Sequence, residues 1–194
     1  MIAEQFKKYW NEHFSDSEPI DYELKRTLND RWFRIHYLPD SKRYADSESE
    51  YETISLRQNT IIDSLFQSDK EFLIVLGFFK YDLNEQLSDE YFNLSEFQHV
   101  DTLDLHEIRP EEYADRDTYY DIFIRKEDWV LNGFDTLLRR IADGEDRAMF
   151  VNTYNNIVII PYDGGMDIIL ADKETRDKLK VKYSDWLSPR EDGL

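Results

Sequence analysis

The sequence contains no cysteine, which excludes disulfide bonds, thiolate metal sites and a cysteine nucleophile. Glycine is scarce, with six residues in 194, and neither a glycine-rich phosphate loop nor a Gly-x-Ser-x-Gly turn is present. Long hydrophobic runs are missing as well: the longest covers residues 72–79, and a membrane-spanning helix needs about 20 apolar residues. Because residues 1–8 carry an acid and no apolar core, we expect no secretory signal and a cytoplasmic location.

Basic residues are also few relative to acidic ones. The chain has 42 acidic and 24 basic residues, and its formal net charge is −18. Such a surface repels phosphate backbones and anionic lipids, so we expect no nucleic-acid and no membrane partner. The same field attracts a basic protein and speeds its docking. We expect no cofactor, and the composition leaves the oligomeric state open.

Aromatic residues, in contrast, are abundant, with 13 Tyr, 12 Phe and 4 Trp. They supply ample core material, whereas disordered chains combine high charge with few aromatics. A length of 194 residues fits one domain, so we expect residues 1–194 to form a single folded unit.

Hydrophobic periodicity gives the predicted order of helices and strands. Helices are predicted at residues 2–14, 51–66, 133–142 and 172–186. Strands are predicted at residues 31–38, 72–79, 102–108, 119–125, 148–151, 157–160 and 166–170. Residues 83–101 are interpreted as a loop with one helical turn. Because hairpin signals connect the last strands, the predicted fold class is α+β, a mainly antiparallel sheet with helices packed on it.

The same patterns predict which faces are buried. In the first predicted strand, Arg34 and His36 fall on the face opposite to the apolar side chains. The continuous apolar run at residues 72–79 indicates a central strand that is covered on both faces. The second predicted helix is expected to bury a wide apolar stripe that includes Leu56.

Two histidines fall in predicted strands, His36 in the first and His106 in the third. If these strands adjoin, both imidazoles could meet one carboxylate and form a metal or acid/base site. The alternative, which applies also to His13 and His99, is a surface or edge position without a chemical role.

Carboxylates are the only abundant reactive groups, and several lie close together between residues 101 and 117. Because these acids would attract a basic protein, we predict that they form a partner-binding set. Its members are Asp101, Asp104, Glu111, Glu112, Asp115 and Asp117. A hard cation is an alternative ligand, but the spacing does not match the twelve-residue calcium loop, and we predict no metal site. A solvated acidic loop without a partner is the third interpretation.

Residues 161–167 have two interpretations. Asp163 and Gly164 are typical of a tight hairpin turn, with the Tyr162 ring packed on a strand face. In the alternative interpretation, Asp163 and Asp167 are two carboxylates beside a turn that share general acid/base work, which requires separated pKa values. Asp163 and Asp167 are the candidate catalytic residues of this segment.

Three features near the carboxyl end form a recognisable pattern. They are the run Tyr162-Asp163-Gly164-Gly165, Asp167 in the next strand, and Tyr183 with Trp186 on one helical face. This pattern, within residues 148–187, resembles an uncharacterised bacterial family, a domain of unknown function with a Tyr-Asp-Asp-Arg-Gly motif and a Tyr-x-x-Trp helix. Gly164 and Gly165 stand where the family has Asp-Arg-Gly, so one acid and the arginine are missing here. The resemblance implies the predicted fold and no particular activity.

The function predicted from these features is binding. An acidic chain with many aromatics and no catalytic signature suits an immunity or antitoxin protein that masks a basic partner. A small acid/base or metal-assisted hydrolase that uses Asp163 and Asp167 is the first alternative. An uncharacterised regulatory interaction domain is the second, since a binding surface leaves no motif in a sequence.

Overall fold

The structure, a computed structural model, describes residues 2–67, 69–87, 91–114, 117–188, 190 and 193. Within these residues the chain forms six α-helices and seven β-strands. The helices are α1 (Ile2–His13), α2 (Asp21–Thr27), α3 (Glu48–Leu65), α4 (Leu105–Ile108), α5 (Asp135–Ala142) and α6 (Lys173–Lys182). The strands are β1 (Trp32–His36), β2 (Glu71–Lys80), β3 (Gln98–Asp104), β4 (Tyr119–Asp128), β5 (Met149–Asn152), β6 (Ile157–Tyr162) and β7 (Gly165–Ile169).

The seven strands form one sheet in the order β1-β7-β6-β5-β2-β4-β3, and every neighbouring pair is antiparallel. The predicted α+β class with a mainly antiparallel sheet is therefore confirmed. β2 pairs with β4 along its whole length and with β5 on its other side, so the strand predicted at residues 72–79 is interior. β1 and β3 are the two edges of the sheet.

Helices cover both faces of the sheet, because the interior strands carry apolar side chains on both sides. On one face, α3, α5 and α6 enclose a core that includes Phe72, Ile74 and Trp129. On the other face, α1 and α2 pack against the sheet through residues such as Trp10 and Leu24. Burial of each large apolar side chain stabilises the fold by about 1.5–3 kcal/mol, so both cores contribute substantially.

Local signals set the ends of several helices as the sequence indicates. The predicted cap of the last helix is confirmed, because the Asp172 carboxylate accepts a hydrogen bond from the Thr175 backbone N–H at 2.8 Å. Gly144 ends α5 with a positive φ of 77°, a conformation that favours glycine. None of the helices in the described part of the chain is long and apolar enough to cross a bilayer.

The strand predicted at residues 102–108 is wrong at both ends. β3 begins at Gln98 and ends at Asp104, after which the chain turns into α4. The Asp104 carboxylate accepts hydrogen bonds from the backbone N–H groups of His106 and Glu107, at 3.0 and 3.1 Å. This N-cap starts a helical turn where periodicity alone favoured continued strand.

Three helical segments differ in how far the sequence predicts them. The helical turn predicted within residues 83–101 is confirmed at Leu94–Glu96. The prediction that Leu56 lies in the buried stripe of α3 is wrong, since its side chain is 65% exposed. The sequence patterns predict no helix at α2, because seven residues are too few to show a helical period, and its burial depends on the facing sheet.

Candidate functional site

Arg34 and Asp167 form a buried ion pair across β1 and β7. The two residues are directly opposite each other, and Arg34 Nε and Nη2 donate to Asp167 Oδ1 and Oδ2 at 2.7 and 2.8 Å. Burial opposes the charge of Arg34, but the hydrogen bonds and the charge of Asp167 outweigh it and raise the pKa of Arg34. The guanidinium also lies 4.7 Å from the centre of the Tyr162 ring. Arg34 is therefore a fixed, oriented cation.

Asp163 occupies the turn between β6 and β7, so the predicted hairpin is confirmed. Its carboxylate accepts a hydrogen bond from the Tyr44 hydroxyl at 2.6 Å and lies 2.8 Å from Arg43 Nε. Burial acts to raise the pKa of Asp163, but these two donors more than offset it and hold the pKa below its usual range. The loop after β1 thus brings a guanidinium to a turn that has no arginine of its own.

His36, Gly165 and Tyr162 form a row across the same three strands. His36 lies opposite Gly165, and Gly165 lies opposite Tyr162. A Cβ atom at Gly165 would lie 2.8 Å from the Tyr162 hydroxyl oxygen and would overlap the backbone carbonyl oxygen of Ile35. Burial raises the pKa of Tyr162, and burial together with the charge of Arg34 lowers the pKa of His36. Both side chains are therefore uncharged at neutral pH.

Replacement of Gly165 by alanine is expected to lower the free energy of unfolding by about 1–3 kcal/mol, because the new methyl group would collide with backbone that β1 and β7 hold together. Gly164→Ala is the matched control, since its Cβ would meet only side-chain atoms, at 3.2 Å from Tyr162 and 3.4 Å from Arg43. We expect Gly164→Ala to change the stability by less than about 1 kcal/mol. Equilibrium unfolding in urea measures both, and equal effects would contradict this account of the two glycines.

Arg34, His36 and Tyr162 line a pocket of about 420 Å³. The side chain of Lys25 on α2 lines it from one side, and Arg43 and Arg147 line it from the loops. Asp163 and Asp167 both border the pocket, so the structure brings together the two candidate carboxylates of the sequence.

The sequence does not predict most of the basic residues of this pocket. Lys25, Arg43 and Arg147 lie in a short helix and in loops, where no periodic pattern marks them. Arg34 and Asp167 did leave a signal, since each is a charged residue inside an apolar strand. Such a position in a predicted sheet indicates a partner on the neighbouring strand.

The predicted convergence of His36 and His106 on one carboxylate is wrong. His36 is in the edge strand β1, whereas His106 is in α4, which follows the opposite edge strand β3. His106 Nδ1 instead donates to the backbone carbonyl of Tyr113 at 2.7 Å. Among the described residues, no group of three or more His, Asp and Glu side chains is placed to hold a metal ion.

Asp163 and Asp167 are arranged for ion pairing. Each carboxylate has an arginine nitrogen within 2.8 Å, Arg43 for Asp163 and Arg34 for Asp167. A general acid needs a pKa raised towards neutrality, and the pKa of Asp163 is lowered instead. The geometry therefore suits electrostatic binding better than proton transfer, and hydrolysis by these residues stays a prediction.

Tyr183 and Trp186, the other residues of the carboxyl-terminal pattern, lie away from this pocket. Their rings stack with centroids 5.0 Å apart, and both pack against the core between α3 and the sheet. The Tyr183 hydroxyl is 2.9 Å from the hydroxyl of Ser64 on α3. These contacts fix the end of α6 to the domain.

Several acids of the predicted partner-binding set have partners within the chain. Asp101 pairs with Lys7 of α1 at 2.7 Å, and Glu112 pairs with Arg109 at 3.0 Å. Asp104 caps α4. Ion pairing of this kind reduces the charge that Asp101 and Glu112 present to a partner, whereas Asp104 keeps its charge.

The remaining members of that set differ in position. Glu111 and Asp117 are exposed, in the segment between α4 and β4. Asp115 lies outside the described residues. Exposed carboxylates keep their full hydration and stay available for a partner.

Several acids lie near Tyr119 at the start of β4, where Tyr119 is paired with Asp104 of β3 and with Lys80 of β2. Burial raises the pKa of Tyr119, and four neighbouring negative charges raise it further. These four charges define the Tyr119 acidic cluster, which consists of Asp82, Asp104, Glu107 and Asp117. Sequence analysis found Asp104 and Asp117 but not Asp82 or Glu107, since only the pairing of β2, β3 and β4 brings the four together.

The fold is that of an α+β protein, with an antiparallel seven-stranded sheet that is covered by helices on both faces. A family model described as a domain of unknown function, DUF3885, matches residues 20–191. The match covers most of the chain, so the protein belongs to this family, and the predicted membership of a family of unknown function is confirmed. Neither a curated protein nor a solved structure matches the chain.

Proposed function

We propose that the protein is a cytoplasmic binding module of the immunity or antitoxin type, which masks a basic partner protein with the Tyr119 acidic cluster. The observation that carries this proposal is that β2, β3 and β4 are paired at Tyr119, so that their adjoining segments bring exposed acids and exposed apolar side chains to one end of the sheet. Tyr81 is 71% exposed and Leu83 is 57% exposed, and they flank Asp82 of the cluster in the sequence. Ile108 is exposed next to Glu107 in the same way.

This combination has the properties of a protein-binding surface. Large apolar side chains fill pockets on a partner and supply most of the binding free energy. The surrounding charge supplies orientation and a fast encounter, and it rejects acidic proteins. The net charge of −18 extends the attraction for a basic partner beyond the contact itself. A regulatory interaction domain would use the same surface, so the identity of the partner separates the two possibilities.

The test begins with the partner. The tagged protein is purified at low salt from its own cells, and a basic protein that elutes with it at equal stoichiometry is identified and expressed. Binding of the purified partner is then measured to the wild-type protein and to one cluster variant. This variant combines the substitutions Asp82→Lys, Glu107→Lys and Asp117→Lys. The control combines Glu12→Lys, Asp30→Lys and Glu52→Lys, which are exposed acids outside the cluster and change the net charge equally.

We expect the wild-type protein and the control to form an equimolar complex that salt weakens. The cluster variant is expected to bind at least about tenfold more weakly than the control, which corresponds to 1.4 kcal/mol. Equal losses of affinity in the two variants would contradict the proposal, because they would show that net charge alone accounts for the binding. Binding that does not depend on salt would contradict the proposal as well.

A further inference from the structure

A groove of about 400 Å³ lies between α3 and α5, on the opposite face of the sheet from α2. Its lining includes Tyr51, Ile54 and Leu56 of α3 and Arg139 of α5. Ile54 is buried, whereas the side chain of Leu56 is 65% exposed. A single exposed leucine is ordinary in a folded protein, so the surroundings of Leu56 decide what the groove can do.

Two more exposed apolar side chains lie close to this turn of α3, in the loop after β4. Val130 is 60% exposed and Leu131 is 53% exposed. The backbone N–H of the next residue, Asn132, donates to Asn59 Oδ1 at 2.9 Å, and Asn59 lies one helical turn after Leu56. This contact brings the loop to the part of α3 that carries Leu56. The three apolar side chains therefore belong to one region of the surface, as is typical of a binding site.

Hydrogen bonds hold the loop in this position. Asn59, which is only 4% exposed, also donates to Asp135 Oδ1 at 2.7 Å, at the start of α5. The Gly133 N–H donates to the Val130 carbonyl at 2.8 Å, and Asn132 between them has a positive φ of 62°. The loop is thus a tight turn with a buried anchor. A surface that is already ordered loses little conformational entropy when a partner binds.

The charges around the groove are mainly negative. Glu48, Glu52 and Asp135 line it together with one basic residue, Arg139. Arg139 Nη1 lies 3.1 Å from Glu48 Oε1, and the guanidinium lies 3.8 Å from the centre of the Tyr51 ring. In the part of the chain that the structure describes, neither Glu52 nor Asp135 forms an ion pair. The groove therefore combines apolar side chains with two carboxylates that have no basic partner, a pattern complementary to a basic segment.

We propose that this groove docks a basic amphipathic helix of a partner protein. A helix presents apolar side chains three or four residues apart on one face, and these anchors pack against Leu56, Val130 and Leu131. Lysine or arginine residues beside that face meet Glu52 and Asp135. An extended segment fits less well, because β4, which leads into the loop, is paired on both sides with β2 and β3 and offers no open edge.

This docking site is separate from the Tyr119 acidic cluster. Tyr119 is the first residue of β4 and Val130 follows its last, so a strand of 10 residues separates them. At a rise of 3.3 Å per residue, the distance is about 30 Å. Both surfaces can be occupied at the same time, and docking at the groove does not depend on the proposed capture of a basic protein at the cluster.

A synthetic helical peptide is the probe for the test. It has about 15 residues, all leucine or lysine, with the leucines three or four residues apart so that they form one face. Its binding to the full chain at low ionic strength is measured by fluorescence anisotropy. The test variant combines Leu56→Ser and Leu131→Ser. The control combines Tyr81→Ser and Leu83→Ser, which remove side chains of similar exposure, 71% and 57%, at the Tyr119 acidic cluster.

We expect the wild-type protein and the control to bind the helical peptide with affinities within about twofold of each other. The Leu56→Ser/Leu131→Ser variant is expected to bind it at least about tenfold more weakly. Absence of binding to the wild-type protein, or equal losses in the two variants, would overturn the site. A loss in the control alone would place the peptide on the Tyr119 acidic cluster and would overturn the site as well.

Two further measurements test the occupant. A second peptide of the same composition, in which leucine and lysine alternate, has no apolar helical face, and equally tight binding of this peptide would overturn the assignment to a helix. Sedimentation equilibrium of the chain without peptide tests a second copy as the occupant. A dimer of the wild-type protein that the Leu56→Ser/Leu131→Ser variant does not form would assign the groove to a second copy and overturn the proposal.

Discussion

Replacement of Asp121 by alanine is expected to lower the free energy of unfolding by about 3–5 kcal/mol, because it leaves a buried lysine without a counter-charge. Lys80 Nζ lies 3.2 Å from Asp121 Oδ2, and each side chain is only 7% exposed. Thr102 donates a further hydrogen bond to this carboxylate, and Lys80 donates to the backbone carbonyl of Leu83 at 3.0 Å. The pair thus connects β2, β3 and β4 next to the Tyr119 acidic cluster.

Equilibrium unfolding in urea measures this effect, with Asp128→Ala as the matched control. Asp128 is on the same strand β4 but exposed, so its replacement is expected to change the stability by less than about 0.5 kcal/mol. Replacement of both partners, in Lys80→Met/Asp121→Leu, is expected to recover much of the loss, because no buried charge then stays unpaired. Similar losses for Asp121→Ala and Asp128→Ala would refute the structural role of the pair.

Replacement of Trp129 by alanine is expected to cost about 3–5 kcal/mol of stability, through lost burial and the cavity that it leaves. Trp129 is 1% exposed and stacks on Phe134 with ring centroids 5.5 Å apart. Its ring also meets Phe66 and Phe72 edge-on, and its indole N–H donates to Asp63 at 3.3 Å. This aromatic cluster fastens α3 and α5 to the sheet.

Trp186→Ala provides the comparison for the same change of side chain. Trp186 is only partly buried, between the Tyr183 ring and the Arg57 guanidinium, which lies 5.1 Å from the ring centre. We expect Trp186→Ala to lower the free energy of unfolding clearly less than Trp129→Ala in the same urea experiment, because it returns less buried surface to water. A larger loss at Trp186 would mean that the end of α6, and not the Trp129 cluster, dominates this core.

Local signals account for the elements that the sequence predicts correctly. The Asp163-Gly164 turn, the Asp172 cap and the Gly144 stop depend on a few neighbouring residues, and the structure has all three. The predictions from sequence fail where contacts between residues that are distant in the chain determine the structure. α2 is stabilised by burial of Leu24 on the sheet, and β3 is extended by pairing with β4, neither of which is visible within a short window of sequence.

The sequence by itself determined the class of fold, the interior strand at residues 72–79, and the hairpin that carries Asp163 and Asp167. The predicted burial of both faces of that strand holds only for residues 72–76, since Phe79 is 36% exposed. Composition alone also excluded every cysteine-dependent chemistry. Only the tertiary structure decided that these aspartates are ion-paired, that Lys25 and Arg147 share a pocket with them, and that His36 is far from His106. The reason is physical: periodicity and capping act over a few residues, whereas charge pairing depends on strand order and on loops that meet across more than 100 residues of chain.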